Sequence, residues 1–509
     1  MFEQLLRRAP LIAALLAAVA ALPGLWLPFL ADDWGLLADA AQGSLARTPF
    51  GYFRPLTALT FRAELQVWGP RPFFFHLTNL LLAAACAALL SIVLRRLTGD
   101  AVVAALGAAI FALHPYHVEN VWWVAGRADM LACLFLLAAF LAYERWRTTL
   151  RGIPLGTLLL FMGALLSKEA AISFPLLILL IEWTRSDRGD WRATRIRGVL
   201  PLAGLALLHA LVVRRLFLGA EAFANLRGTL PHWIGNFFAF LAGSLVPLHT
   251  EYLEGHPFLA GFLALVVAGF AFLWAHRKDR PDARLAATAA IAFLILLGPS
   301  LLSFQERYLF IPSAAVATIL VVLGRTLPQQ VRRLLGAGLS TLWLGSLAWH
   351  AIAWTDAARV STHLIEGLRQ TSMESEAGGI LVANMPHRVH GVAVAANFRQ
   401  AVVLSGGRAV PIKAATALDL PSSRQDGLAG GFSGAITRSA DDLVVRVEVP
   451  AHRFSRVVLP LPGKSVAKDA DGEWEVTMEA GKLQVRIPLP ARSALRIWTA
   501  DGLRLLEVP

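Results

Sequence analysis

Two adjacent carboxylates, Asp32 and Asp33, stand where a long apolar run breaks off, in the segment FLADDWGLL. A carboxylate held in a partly apolar cleft can take a proton from an incoming hydroxyl, as a general base. Arg54 follows in YFRPLT and His76 in FHLTN. The run HPYHVENVWWVAGRAD then supplies His114, His117, Glu119, Arg127 and Asp129. Lys168 and Glu169 sit in LLSKEAA, and Glu306, Arg307 and Tyr308 in FQERYLFIPS. Arginine and lysine at headgroup depth can hold a lipid phosphate or pyrophosphate. A base and a phosphate clamp together point to transfer of a group from a lipid phosphate to a hydroxyl or amine.

Each residue also has a plainer reading. Paired acids at a helix end can be a solvated loop, Arg54 and Arg307 interface anchors, and Lys168 with Glu169 a local ion pair. His76 can be a packed helix residue, and His114 with His117 a helix end beside Pro115. Trp122 and Trp123 fit an aromatic belt. The convergence of several acids and bases at one edge of the apolar segments is the stronger signal, because polar groups at membrane depth are expensive.

The elements that must position them are apolar helices. The chain has 509 residues, 56% hydrophobic and 16% charged, with mean hydropathy +0.57. Soluble domains carry roughly 25% charged residues. Runs near the ~20 residues needed to cross a bilayer recur through the first two-thirds. The composition reads as a polytopic α-helical membrane protein. The net charge of +12 does not point to nucleic acid, because no basic face is interleaved with aromatic residues. The arginines cluster in short loops instead: Arg95 and Arg96; Arg145, Arg147 and Arg151; Arg185, Arg188, Arg192, Arg195 and Arg197; Arg277, Lys278 and Arg280; Arg332 and Arg333. That is the positive-inside pattern. The two cysteines, Cys86 and Cys133, lie inside apolar runs and build no disulfide framework or zinc site. Arg7 and Arg8 before an apolar run read as an uncleaved first helix rather than a signal peptide.

Crossings are expected near 10–30, 73–94, 101–115, 121–144, 153–167, 170–184, 199–214, 258–275, 285–303, 308–324 and 333–354, about 11 in all. The apolar stretch 232–248 is left over. Counting it as a crossing would reverse every later basic loop, so it reads as an outer interfacial or re-entrant helix. The N-terminus is then cytoplasmic, and the outer loops are 31–72 and 215–257. After about residue 360 the pattern changes period. LVVRVEV and KLQVRIPL alternate apolar and polar residues as half-buried strands do, with Val445, Val447 and Val449 inward and Arg446 and Glu448 outward. Asp471-Gly472 and Asp501-Gly502 mark turns. The expected organisation is a membrane domain over 1–359 and an outer-side, β-rich soluble domain over 360–509, entered by a short helix.

The stretch from FRPLTALTF through FFFHLTNLLLAAACAALL and HPYHVENVWWVAGRADMLACLF, then LLSKEAAISFPLLILLIEW and ERYLFIPS, resembles the membrane half of the TMTC family. These are the transmembrane and tetratricopeptide-repeat O-mannosyltransferases and their bacterial relatives, of the GT-C class of polyprenyl-phosphate-sugar glycosyltransferases. The resemblance covers roughly residues 20–325, most specifically His76 to Trp183. It implies a sugar donor on dolichyl or undecaprenyl phosphate, inversion at the anomeric centre, and a catalytic acid in the first outer loop, where Asp32 and Asp33 stand. Asp32 is chosen as the base and Asp33 as its neighbour. Arg307, Lys168 and Arg127 are expected to clamp the donor phosphate. Some GT-C enzymes use a divalent metal and many do not, and no compact metal-ligand spacing decides it here. The acceptor, a protein, glycan or lipid, is not carried over, because no repeat of about 34 residues follows the membrane part. The chain reads as bacterial, in the inner membrane with its C-terminal domain periplasmic or extracellular. The competing readings are a transporter or flippase of a lipid-linked or anionic solute, and a non-catalytic envelope assembly protein. The first would show inverted repeats and broken midplane helices, and the second a lost acidic pair.

Overall fold

The structure, a computed structural model, describes residues 2–43, 52–184, 194–216, 230–247, 261, 262, 269 and 280–374, then most of 379–414 and the strands from there to 505. The expected crossing over 258–275, most of the outer loop 215–257, Arg185, Arg188, Arg192, Arg277, Lys278, Val449 and the turn residues Asp471 and Asp501 lie outside the described residues.

In chain order the helices are α1 (Phe2–Arg7), α2 (Ala9–Ala21), α3 (Asp33–Ala41), α4 (Pro55–Trp68), α5 (Pro72–Thr98), α6 (Ala101–Ala112), α7 (His117–Trp122) and α8 (Arg127–Thr149). They continue as α9 (Leu155–Ser167), α10 (Phe174–Thr184), α11 (Leu200–Leu216), α12 (Leu230–Leu245), α13 (Arg280–Leu297), α14 (Ser313–Thr326), α15 (Gln329–Glu374) and α16 (Phe398–Leu404). The chain forms two compact units, Met1–Trp26 with Asp39–His350, and Leu27–Ala38 with Ala351–Pro509.

The first unit is helical. Among the described residues five segments are long and apolar enough to cross a membrane: Ala9–Trp26, Pro72–Thr98, Val124–Thr149, Ile196–Val213 and Asp282–Ser300. This is a multi-pass helical membrane protein. Helices suit that setting because every backbone N–H and C=O is satisfied within the segment. The sequence marks their ends. Pro10, Pro55 and Pro72 stand in first turns, where a missing N–H costs nothing. Gly99 closes α5 in the left-handed conformation, φ 68°, and the Asp100 carboxylate then caps α6 by accepting the Val102 and Val103 amides. Three apolar helices, α6, α9 and α14, have only 12, 13 and 14 residues.

Two expected crossings are broken near their starts. The stretch 121–144 is split between α7 and α8 by a tight turn over Val124–Gly126. Gly126 is required there, because a Cβ would come within 2.5 Å of the Asn120 carbonyl oxygen. The stretch 170–184 opens as a 3-10 turn, Glu169–Ser173, before α10. The core of the unit joins α8, α9, α10 and α11 through Leu136, Phe140, Phe161, Phe174, Ile178 and Leu202. Phe161 and Phe174 lie 5.3 Å apart between ring centroids.

The second unit contains strands in three sheets. Here β1 (Gly379–Val382) pairs in parallel with β12 (Ser493–Thr499) and with β4 (Ile412–Ala414), and β13 (Gly502–Leu505) lies antiparallel on β12. A second sheet places β2 (Met385–Val389) between β3 (Val392–Ala393) and β5 (Ala417–Leu420), with β8 (Arg456–Val458) beyond. The third is antiparallel throughout, in the order β6 (Gly434–Arg438), β7 (Asp442–Glu448), β11 (Lys482–Pro488), β10 (Gly472–Glu479), β9 (Lys464–Asp469). Its register sets Val445 opposite Val485 and Ile436, and Arg446 opposite Gln484. Apolar positions therefore share one face of the pleat. The stretch 333–354, where a crossing is expected, and the expected lead-in helix are parts of one helix, α15, which runs unbroken for 46 residues, and the division between units falls within it at His350 and Ala351. No proline or glycine interrupts it after Gly345 until Gly367, so the sequence supplies no break where one was expected.

Candidate active site

Within the helical unit, three cations gather around Tyr308. α9 ends at Ser167, and the backbone turns extended at Lys168, φ −157° and ψ 139°. Extended backbone sends successive side chains to opposite sides. Lys168 is consequently 3% exposed, while the Glu169 side chain is 49% exposed. The Lys168 ammonium donates to Asp129 Oδ1 at 2.5 Å and lies 4.4 Å from the Tyr308 ring centroid. Arg54, just before α4, makes a two-pronged contact with Glu169: Nε to Oε2 at 2.9 Å and Nη2 to Oε1 at 2.6 Å. Thr57 fastens the start of α4 to the end of α9 by donating to the Ser167 carbonyl at 3.1 Å. Arg307, in the 3-10 turn Glu306–Leu309, pairs with Glu119 through Nη1 at 2.9 Å, and its own amide donates to the second Glu119 oxygen at 2.7 Å. The guanidinium carbon of Arg307 lies 4.3 Å from the Trp123 ring and 5.2 Å from the Tyr308 ring.

The electrostatics follow from burial set against pairing. Burial pulls Lys168 down to about 8, and Asp129 only partly restores it. Glu169 is half exposed; the desolvation that its surroundings impose would raise it, yet the paired Arg54 outweighs this and holds the carboxyl down to about 2. Burial pushes Glu119 up, with Arg307 opposing. Arg54 stays a cation throughout, since Glu169 overcomes its desolvation. The arrangement is three positive and three negative groups, with the aromatic faces of Tyr308, Trp123 and Tyr52, the last 4.5 Å below Arg54. Such a cluster can receive an anion of lipid-phosphate type by sharing its cations.

Arg127 has a different place from the one its type suggested. It is 0% exposed and its guanidinium is filled: Nε donates to Asn79 Oδ1 at 2.9 Å, Nη1 to Thr60 at 3.2 Å, and Nη2 to Glu64 at 2.9 Å and to the Phe75 carbonyl at 3.0 Å. It also lies over the Phe61 ring. The Asn79 amide meets the carbonyls of Trp123 at 3.1 Å and of Asn120 and Val121 at 3.4 Å. Arg127 and Asn79 thus hold the turn that presents Glu119 and Trp123 to Arg307. Asn120 adds a bond from its amide to the Arg307 carbonyl at 3.1 Å. His76 is buried in α5. His114 contacts the Ser244 carbonyl at 3.4 Å, and His117 bonds Ser313 Oγ at 2.9 Å against the Phe111 and Phe310 rings. Among the described residues, neither His114 nor His117 makes a contact with the cation cluster.

Asp32 and Asp33 belong to the second unit. Ala31 adopts φ 45° and its amide donates to the Val394 carbonyl at 3.3 Å. Asp33 opens α3, is 1% exposed, and accepts the Leu30 amide at 2.9 Å. Phe29 and Trp34 flank the turn edge to face at 5.3 Å. Asp32 is partly exposed. The two acids therefore differ: Asp33 is buried and holds its own turn together, and Asp32 is partly exposed. Among the described residues no three His, Cys, Asp or Glu side chains gather to hold a metal.

Sequence reading missed Asn79, Thr60, Glu64, Asn120, Tyr52 and His350, which pairs with the buried Glu306 at 2.9 Å. Asn79 and Glu64 carried a usable signal, as polar residues inside or beside apolar helices.

No family model matches the chain. Curated relatives do. The chain is 36% identical over 185 residues to the Drosophila melanogaster protein O-mannosyl-transferase Tmtc2, which covers 35% of this chain and 19% of that protein. It is 38% identical over 125 residues to human protein O-mannosyl-transferase TMTC1, covering 24% of this chain and 13% of that protein. The matched part is thus about a fifth or less of those relatives' length. The resemblance read in the sequence is borne out to that extent. The solved structure of ArnT from Cupriavidus metallidurans bound to undecaprenyl phosphate is similar over 86% of this chain and 96% of that one, with 14% identity and a TM-score of 0.42, a likeness too weak to carry an argument.

Proposed function

We propose that this protein is a membrane glycosyltransferase that moves a sugar from a polyprenyl-phosphate carrier to an acceptor at the outer membrane surface. The observation that carries the reading is the gathering of Arg54, Lys168 and Arg307 around Tyr308, each held by a carboxylate. The sequence similarity to O-mannosyl-transferases supports it. In this reading the three cations share the donor phosphate and take up the charge that develops as the anomeric C–O bond breaks. Asp32 accepts the acceptor proton as the new bond forms to the anomeric carbon. The electron pair of the broken bond stays on the phosphate oxygen, and a single displacement inverts the centre.

Asp32 rather than Asp33 is assigned as base because Asp33 is buried and engaged with the Leu30 amide, whereas Asp32 is partly exposed. Arg127 and Asn79 are assigned to positioning. The topology read from the basic loops gives the acidic loop and the cation-bearing turns the same outer side. In the same reading the strand-rich unit lies outside, the membrane is a bacterial inner membrane, and the donor is undecaprenyl-linked.

The test is transfer by the purified full-length protein in lipid nanodiscs, with a radiolabelled polyprenyl-phosphate sugar and an envelope extract as acceptor. Asp32→Asn nearly preserves shape and removes the basic oxygen, so transfer falls by about 10²- to 10⁴-fold. Asp33→Asn chiefly loosens the turn, and transfer falls less. Transfer at the unaltered rate by both variants refutes the mechanism.

A further inference from the structure

A cleft of about 410 Å³ opens at the end of α5 that carries Arg95 and Arg96, where α5 meets the first turns of α2 and α6. Its walls are mostly apolar, formed by Leu6, Pro10, Ile92 and Ala104. Its rim is not. Arg95 and Arg96 line it, both exposed, and the exposed Arg7 and Arg8 stand beside it at the junction of α1 and α2. Two other arginines of this unit that lie near its loops do have carboxylate partners: Arg147 has Glu182, and Arg325 has Asp282 and Asp100. Among the described residues the side chains of Arg95 and Arg96 have none. The nearest acid in sequence, Asp100, is taken up by the α6 amides and by Arg325. The cleft therefore combines an uncompensated pair of guanidinium groups with an apolar trough, at the point where the apolar stretch of α5 ends.

We propose that this cleft is a binding site for an anionic phospholipid, with the lipid phosphate on Arg95 and Arg96 and an acyl chain along the trough. The chemistry is that of basic pockets between transmembrane helices, which select anionic headgroups. A phosphocholine headgroup carries its own cation and gains little from two more. A free phosphate would leave the trough empty. The site is separate from the cation cluster around Tyr308, since it lies at the other end of α5 from Asn79 and the turn that Asn79 holds.

The experiment uses the full-length protein in nanodiscs of mixed phosphatidylglycerol and phosphatidylcholine, extracted into a mild detergent and read by native mass spectrometry for retained lipid. Two arginines at an anionic headgroup favour phosphatidylglycerol by about thirtyfold. Arg95→Gln with Arg96→Gln brings the two lipids near parity. Ile92→Trp fills the trough with the charges left in place, and also lowers retention. The selectivity of the unaltered protein is measured independently, so poor folding of a variant does not leave the question open. Equal retention of both lipids by the unaltered protein overturns the proposal. So does retention unchanged in the two variants. Displacement of the lipid by millimolar inorganic phosphate assigns a free-phosphate site and overturns it as well.

Discussion

Lys168 gives the sharpest test, because the same side chain bears on stability and on binding with opposite consequences. Its ammonium is 3% exposed and sits 2.5 Å from Asp129, whose side chain is 6% exposed. Lys168→Met leaves the Asp129 carboxylate buried without its cation. Breaking a buried pair in this way costs about 3–5 kcal/mol. Replacing both partners by apolar residues removes the stranded charge, so Lys168→Met with Asp129→Leu recovers most of that loss. Thermal unfolding of the purified protein in one detergent reads the stabilities. Donor affinity, measured by calorimetry with a polyprenyl phosphate, stays weak in both variants. Losing one charge-assisted hydrogen bond is worth about 1.5–3 kcal/mol, or roughly ten- to over a hundredfold. The pH dependence adds a sign. The folded-state value is about 8 against an ordinary 10.5, so between those values the unfolded chain binds more protons than the folded one. Stability contributed by Lys168 therefore rises with pH across that window. Affinity for the anionic donor falls across the same window, as the ammonium is lost. Full donor affinity in the double variant would refute the clamp. An unchanged melting temperature in Lys168→Met alone would refute the buried pair.

Arg307→Ala removes the guanidinium from Glu119, Trp123 and Tyr308 and weakens donor binding by about 2–5 kcal/mol, measured by the same calorimetry. Arg127→Met strands Glu64 and frees Asn79, and lowers stability by about 3–5 kcal/mol. Donor affinity per folded molecule then falls less than in Arg307→Ala, which separates positioning from contact. Single-cysteine labelling in intact cells, in a background lacking Cys86 and Cys133, marks positions in the loop 31–72 and the tail after 374 from outside and positions near Arg197 only after permeabilisation.

The apolar runs made most of the helices legible, because in a membrane the solvent itself sets segment length. The chemistry-bearing residues were legible as types: Arg54, Lys168, Glu169, Arg307, Glu119, Asp129 and Tyr308 are brought into one connected cluster of contacts. Their partners were not. Type and spacing cannot tell a phosphate-binding arginine from one whose three nitrogens are all engaged inside, and Arg127 is of the second kind because Asn79, Thr60 and Glu64 come from two other helices, α4 and α5. His114 and His117 were ambiguous for the same reason, their neighbours Ser244 and Ser313 lying 130 and 196 residues away in sequence. The unbroken α15 was hidden by a change from apolar to mixed composition partway along it. That change alters the surroundings of a helix without ending it.

The acid turn holds one more consequence, in the conformation of Ala31. An alanine at φ 45° stands in a region that costs an L-residue about 1–2 kcal/mol. A glycine would rest there without that cost. The turn is thus kept by its bond to Val394, by the Asp33 carboxylate on the Leu30 amide, and by the Phe29–Trp34 contact, all acting against a local preference. The alanine also narrows the routes by which the backbone can leave that state, since its Cβ restricts the surrounding conformations as well. Asp32 is carried on a stiff mount. A group that must meet a reactive centre in one orientation gains from such stiffness, because little of its motion remains to be frozen when the reaction begins.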